Sequence, residues 1–340
     1  MEKTRYPVWF LGTVLAAIAA LAAFNAWAEH FILTHPAGGS VQTLSGFERA
    51  VKPAWLEATR PELVFVGSSR VRDAFDPVLI DPALKIRSFN YGASSMSPYE
   101  ARRLVQDALA HPSVKTVVVS LDAFTGNGGA GEALPSFDET RLAVTPAGDP
   151  TPRRGLWLFT TRYLSGGALG MNALGIYALA RLKPGETAAD RPDIFNAYSH
   201  MTEAVMRRDL AYRRARSMSM GPRARGELVA MLAAACRASA RLIVYFPPDH
   251  TAIVRQYRQS DAAGFTAFKK NVAAEVARAN ASCPAQTELL DFMQPNALTT
   301  ETMVKGSSPD YVDLVHIRPP AGLWLLRQMG LLRQGSVTGN

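Results

Sequence analysis

Glu62-Leu-Val-Phe-Val-Gly-Ser-Ser-Arg70 is the stretch on which the fold turns. Four apolar residues run without alternation and stop at a glycine followed by two hydroxyl side chains. A strand with one wet face would alternate, so an unbroken apolar run calls for cover on both faces, as a parallel strand between helices has. The same rhythm continues outward along the chain. Pro98–Ala110 has apolar residues at helical spacing with proline in its first turn, and Thr116–Leu121 is a second buried strand. Later come a helix over Leu228–Ala238, a strand over Arg241–Phe246 and a helix over Ala262–Ala279. A strand over Glu288–Phe292 and a last helix over Ala321–Leu332 close the series. Strand alternating with helix predicts an α/β fold, a three-layer, doubly wound and mostly parallel sheet.

That domain is expected over residues 61–335, with residues 125–222 breaking its rhythm. The break opens on Gly126-Asn-Gly-Gly-Ala-Gly131 and reads as a helical insertion over the carboxyl edge of the sheet, a candidate lid. The glycine run has no Lys-Ser/Thr after it and is no phosphate-binding loop. Arg207, Arg208, Arg213, Arg214, Arg216, Arg223 and Arg225 form a basic run at the far end. It is either a solvated helix face or a contact for membrane phosphates or an acidic polymer. Aromatic residues do not interleave with these arginines, so nucleic acid is not an expected partner.

Ahead of the domain, Pro7–Ala28 carries no charge in 22 residues. A helix of that length crosses a ~30 Å hydrocarbon core. Lys3 and Arg5 precede it, which places the amino terminus in the cytoplasm and the rest of the chain outside. Residues 1–28 are read as a transmembrane anchor. Ala26-Trp27-Ala28 also fits a signal-peptidase site, although the apolar run exceeds the ~7–15 residues usual there. Both readings export the body. Residues 29–60, with Gly38-Gly39-Ser40 and scattered prolines, read as a stalk with short helical pieces.

The composition fits this division. The 340 residues are 48% hydrophobic and 19% charged, as in a globular protein rather than a disordered or multi-span one. Mean hydropathy near zero averages an apolar helix with a more polar body. The net charge of +8 suits an anionic surface and says nothing about fold. Cys236 and Cys283 are too few for a disulfide framework or a structural zinc site. Once exported they either pair or stay as buried thiols. No metal or cofactor is expected.

Ligands of open α/β sheets bind beyond the carboxyl ends of the strands. Three polar clusters fall there. Gly67-Ser68-Ser69-Arg70 follows the first strand and offers a hydroxyl beside a helix amino terminus. Asn90-Tyr91-Gly92 follows a short apolar stretch, where glycine lets a backbone N–H approach a substrate oxygen. Asp313-Leu-Val-His316-Ile-Arg318-Pro319 lies just ahead of the last helix, with a carboxylate spaced to orient an imidazole toward a serine. His250, after the strand at 241–246, falls near the same edge. Each cluster alone is an ordinary turn.

In this order the clusters resemble the SGNH/GDSL hydrolase superfamily, over residues 62–124 and 287–330. The resemblance implies an SGNH, flavodoxin-like fold, with Ser69 as nucleophile, His316 as base and Asp313 as its orienting acid. It implies an oxyanion hole from the N–H groups of Ser69 and Gly92, with Asn90 as a further donor. Ser68, Arg70, Asp122, His250 and Arg318 would line the site. One block departs: Ser120-Leu121-Asp122-Ala123 stands where the family has Gly-x-Asn-Asp, so a carboxylate replaces the hole's asparagine. Either Asp122 is protonated or turned away, or Asn90 or Arg70 supplies the donor.

Asp122 and the anchor together shift the resemblance to the divergent membrane-anchored branch. That branch includes the D-alanylation D protein of Gram-positive cell walls and the alginate O-acetylation proteins. Proteins encoded with exopolysaccharide genes share a late Asp-x-x-His-x-Arg-Pro motif. The resemblance implies a serine acyltransferase or esterase on the periplasmic side of a bacterial inner membrane. It would act on a surface or secreted polysaccharide, beside a membrane-bound O-acyltransferase or a polysaccharide synthase. The alternative is a non-catalytic scaffold or glycan-binding subunit of an exopolysaccharide complex, which Asp122 favours.

Overall fold

The computed structural model describes residues 5–34, 48–124, 133, 137, 139–151, 160, 163–164, 166–180, 218–283, 287–302 and 308–332. Gly126–Gly131 and the arginines at 207, 208, 213, 214 and 216 lie outside the described residues.

Five parallel strands form one sheet: β1 (Leu63–Val66), β2 (Ser88–Asn90), β3 (Thr116–Ser120), β4 (Arg241–Phe246) and β5 (Thr287–Asp291). Their spatial order is β2-β1-β3-β4-β5, so the winding reverses between β1 and β3. Val64 lies beside Val117 and Phe65 beside Val118, and all four side chains are buried. This is why β1 and β3 read as unbroken apolar runs. β2, with only Ser88, Phe89 and Asn90, is too short to carry such a signal.

Both faces of the sheet are covered. On one lie α5 (Pro98–Leu109), α7 (Pro222–Ala238) and α8 (Thr251–Ser282), whose Leu104, Leu228 and Phe268 pack on Val64, Val117 and Val244. Against the other lie α3 (Ser69–Ala74), α4 (Pro77–Leu84) and α9 (Pro319–Gln328), which enclose Phe65, Val118 and Tyr245. Ser97 caps α5 in a reciprocal box with Glu100. α8 begins eleven residues before the expected helix and bends at Asp261, where φ −155° and ψ 70° leave the helical region. Cys236 and Cys283 form a disulfide tying the end of α7 to the end of α8, with Cα atoms 5.6 Å apart.

One expectation is corrected. The segment assigned to a stalk holds α2 (Glu48–Thr59), and it is part of the domain. Trp55 and Leu56 are buried in the core, and the Trp55 indole donates to the carbonyl of Ile32 at 2.9 Å. The helix carries its charges on the face that meets other charges, so its composition reads as polar while its packing is not. Of the insertion, the described parts pack on helices of the chain. Residues 139–151 pack on α5, where buried Arg103 donates to the carbonyls of Val144 and Thr145. Helix α6 (Gly166–Ala180) packs on α1 (Arg5–Thr34) and α2. Within α1, Pro7–Ile32 is long and apolar enough to cross a membrane, with a mean hydropathy of 2.1.

Candidate active site

The turn after β1 is built by close packing. A Cβ on Gly67 would stand 2.4 Å from Cγ2 of Val71 and 2.9 Å from Cβ of Ser120, so only glycine fits between β3 and α3. Ser68 caps α3, its hydroxyl accepting from the Arg70 N–H at 3.2 Å. Ser69 is thereby the first residue of the helix, half-buried at the switch point between β1 and β3.

The loop before α9 brings Asp313 and His316 to it. A short bridge between Tyr311 and Ile317 pinches the loop, and the Val312 N–H donates to the His316 carbonyl at 2.7 Å. Asp313 accepts the N–H groups of Val315 and His316 through Oδ1, at 2.8 and 2.7 Å. Its Oδ2 stands 2.7 Å from Nδ1 of His316, and Nε2 of the same ring stands 2.8 Å from Oγ of Ser69. An ionised carboxylate only accepts, which assigns the proton to Nδ1 and leaves Nε2 to accept from the serine. Burial disfavours the charged imidazole, yet the Asp313 charge and hydrogen bond outweigh it and raise the His316 pKa. Burial also opposes the Asp313 charge, but His316 and the two N–H donors bring its pKa to about 2.

Beneath the serine lies a second charged group. Arg70 donates to Oδ1 of Asp249 at 2.5 Å and lies 3.7 Å from Oδ2 of Asp122. Asp122 also accepts from the hydroxyls of Ser68 and Ser120, the latter at 2.5 Å. Burial works against the Arg70 charge, but Asp249, Tyr257 and Asp122 raise its pKa and keep it cationic. The Asp122 carboxylate is therefore turned into a Ser–Ser–Arg cluster. It does not stand as an isolated charge.

The two other expected oxyanion donors are corrected. The Asn90 amide donates to the carbonyls of Val71, Arg72 and Phe75 at 2.9, 3.0 and 2.5 Å. Its Oδ1 accepts the Gly92 N–H at 2.8 Å, so neither residue has its N–H facing a substrate. Gly92 is glycine for another reason: a Cβ there would meet the Arg72 nitrogen at 2.4 Å. Among the three expected backbone and side-chain donors this leaves the Ser69 N–H, in the first turn of α3 where helix donors lack internal partners.

His250 and Arg318 stand beside the loop that carries Asp313 and His316. His250 caps α8 by accepting the Ala252 N–H at 3.2 Å, and its Nε2 lies 3.0 Å from the Glu301 carbonyl. Arg318 caps α9 and donates to the Asp310 carbonyl through its backbone at 2.8 Å. Both steady the triad loop without touching Ser69. The His250 N–H donates to Leu314 at 3.0 Å, and Tyr311 donates its hydroxyl to Pro248 at 2.6 Å.

Sequence reading missed the support that α2 gives. Glu48 pairs with Arg72 of α3 at 3.0 Å and accepts from Ser94 at 3.1 Å, Arg49 pairs with Glu100 at 2.8 Å, and buried Lys52 donates to the Gly92 carbonyl. Burial, with Arg72 and Arg49 nearby, pulls Lys52 down to about 7 despite Glu48. The signal was present as four charged residues at helical spacing around Trp55 and Leu56. Among the described residues, no three His, Cys, Asp or Glu side chains gather as a metal-ligand set. No protein-family model and no curated protein matches the chain.

Proposed function

We propose that the chain is a membrane-anchored serine acyltransferase or esterase of the SGNH kind, its domain facing the periplasm and its substrate a surface or secreted polysaccharide. The observation that carries the reading is the Ser69–His316–Asp313 geometry, with 2.8 and 2.7 Å contacts in line. A strand order with its switch point at Ser69, and helices on both faces, fit a three-layer SGNH arrangement.

In this mechanism Oγ of Ser69 attacks an ester or thioester carbonyl while Nε2 of His316 takes the hydroxyl proton. Asp313 holds the ring and stabilises the imidazolium. His316 then returns the proton to the leaving oxygen or sulfur, and the acyl group stays on Ser69. A sugar hydroxyl attacks the acyl-serine, gives its proton to His316, and leaves as the acylated sugar with Ser69 restored. Water in that place gives hydrolysis instead. The resemblance to membrane-anchored acetylation proteins favours transfer, beside a membrane-bound O-acyltransferase or a polysaccharide synthase. Asp122, the residue that favours the scaffold alternative, is held by Arg70 and by the hydroxyls of Ser68 and Ser120, which is compatible with a hydrolase-like site.

A fluorophosphonate probe on purified full-length protein tests this. Labelling that disappears in Ser69→Ala and His316→Ala is expected. Absence of labelling in the unaltered protein, with its fold verified by circular dichroism, would leave the scaffold reading standing.

A further inference from the structure

Ser69 and His316 reach each other from distant parts of the chain. The serine opens α3 just after β1, and the histidine stands on the loop before α9, 247 residues later. Their 2.8 Å contact depends on whatever holds those two elements in register. One hydrogen bond between a hydroxyl and an imidazole is too weak in net terms to do so alone. The four residues after β4, Pro247-Pro248-Asp249-His250, touch both elements.

β4 lies beside β3 in register through Ser120 and Tyr245, so this segment leaves the sheet at the edge where Ser69 stands. Pro247, Pro248 and Asp249 are buried, Asp249 completely. Two prolines fix their own φ angles, and the Asp249 N–H donates back to the Pro247 carbonyl at 2.9 Å. The backbone here is therefore tightly constrained. Toward the triad loop the segment uses its main chain. The Pro248 carbonyl accepts the Tyr311 hydroxyl at 2.6 Å, and the His250 N–H donates to the Leu314 carbonyl at 3.0 Å. Tyr311 and Leu314 lie on either side of Asp313 and are buried. Toward the nucleophile the segment uses one side chain: Oδ1 of Asp249 accepts from Nη1 of Arg70 at 2.5 Å. Arg70 follows Ser69 in the first turn of α3, so holding its guanidinium holds the turn that carries the nucleophile.

We propose that Asp249 is a positioning residue of the triad, latching Arg70 and with it the helix of Ser69 to the segment that holds the Asp313–His316 loop. The inference rests on the serine-enzyme reading of Ser69. The side chains of Arg70 and Asp249 are 12% and 0% exposed. A pair buried to this depth adds little net stability, since desolvation offsets the attraction, and its use here is geometric. The guanidinium suits the task because its planar fork meets several acceptors at once, and Asp122 and Tyr257 lie around the same group. Asp249 touches neither the serine nor the histidine in this arrangement. It acts through Arg70 on one side and through its own backbone neighbours on the other.

The rate at which a fluorophosphonate labels Ser69 in the full chain, in mild detergent, tests the latch. Each variant is read at a temperature where circular dichroism shows it folded. Asp249→Leu removes the acceptor at similar volume and is expected to label roughly 10²-fold more slowly, the size of effect that a misplacement of about 1 Å produces. Asp249→Asn keeps an acceptor oxygen in the same place and is expected to recover most of that loss. Glu275→Gln takes a carboxylate from another buried arginine contact, with Arg225 and Arg278 toward the far end of α8, and shows what lost stability alone does to the rate. Asp249→Leu labelling as fast as Glu275→Gln overturns the latch. Asp249→Asn labelling as slowly as Asp249→Leu also overturns it, because charge rather than the held contact would then be what matters. If Asp249→Leu does not fold, Arg70→Lys takes its place: its ammonium ends one bond short of the Nη1 position, slower labelling is expected, and a parent-like rate overturns the latch. A parent chain that is folded and does not label defeats the serine-enzyme reading itself.

Discussion

Asp313 does two separate things through its two oxygens, and the pair of roles sets the pH behaviour of the site. Oδ1 fixes the loop by accepting two backbone N–H groups, and Oδ2 fixes the ring of His316. Catalysis as a base needs the neutral imidazole. Because the His316 pKa is raised, activity is expected to climb with pH and level off only above the ordinary histidine value of about 6.5. Stability runs the other way. A raised imidazole contributes stability that is whole below about pH 6.5 and is lost as pH rises through the folded value. Asp313, depressed to about 2, contributes above its unfolded pKa of about 3.8 and loses it as pH falls toward 2. Asp313→Asn removes the charge that raises His316 and offers Nδ1 the wrong partner. Ester turnover is expected to fall by roughly 10⁴-fold, with the acidic limb of the remaining rate moved to lower pH. A pH–rate profile of variant and parent protein with an activated ester reads both effects, and an unmoved limb would contradict the assignment.

At the level of elements, residue type predicted location better than it predicted job. Gly67, Asn90, Gly92, Asp313 and His316 all lie at the carboxyl edge, because buried parallel strands announce themselves and ligands gather past their ends. Asn90 and Gly92 were expected to face a substrate, yet Asn90 clasps the end of α3 by taking three of its carbonyls, and Gly92 lets the β2 loop lie against Arg72. A motif of polar and small residues does not reveal whether its donors point outward or across to a neighbouring helix. That depends on α3, which is six residues long and too short to show periodicity. The same limit hid β2, and composition hid α2, whose ion pairs are satisfied inside the domain. Asn90→Ala tests the clasp. It leaves buried carbonyls without their donor, and a loss of about 1–3 kcal/mol in stability is expected from denaturant titration. An unchanged midpoint with a large fall in turnover would instead restore Asn90 to the oxyanion hole.

On the scale of the whole molecule, the apolar helix α1 and the domain are not separable parts. The sequence divides them cleanly, since charge density changes abruptly after Ala28 and the next thirty residues look like a connector. The packing does not follow that division. Asn25, Ala28 and Ile32 lie on one face of α1 and are fully buried, against α2 and α6, while the same helix is bare from Pro7 to Ala20. Hydropathy cannot show this, because a side chain facing lipid and one facing a protein core are equally apolar. The boundary that matters for folding therefore falls inside the apolar run, near Leu21. Two truncations make the point measurable in mild detergent. Removing residues 1–20 takes away the exposed stretch Pro7–Ala20 and is expected to leave the melting temperature and the probe labelling of Ser69 unchanged. Removing residues 1–34 strips Ile32 from the core, frees the Trp55 indole of its acceptor and leaves Asn172 without Asn25. Loss of one buried aliphatic side chain alone costs about 2–5 kcal/mol, so the shorter chain is expected to unfold at markedly lower temperature or to aggregate. Equal melting of the two truncations would mean that α1 contributes nothing to the domain.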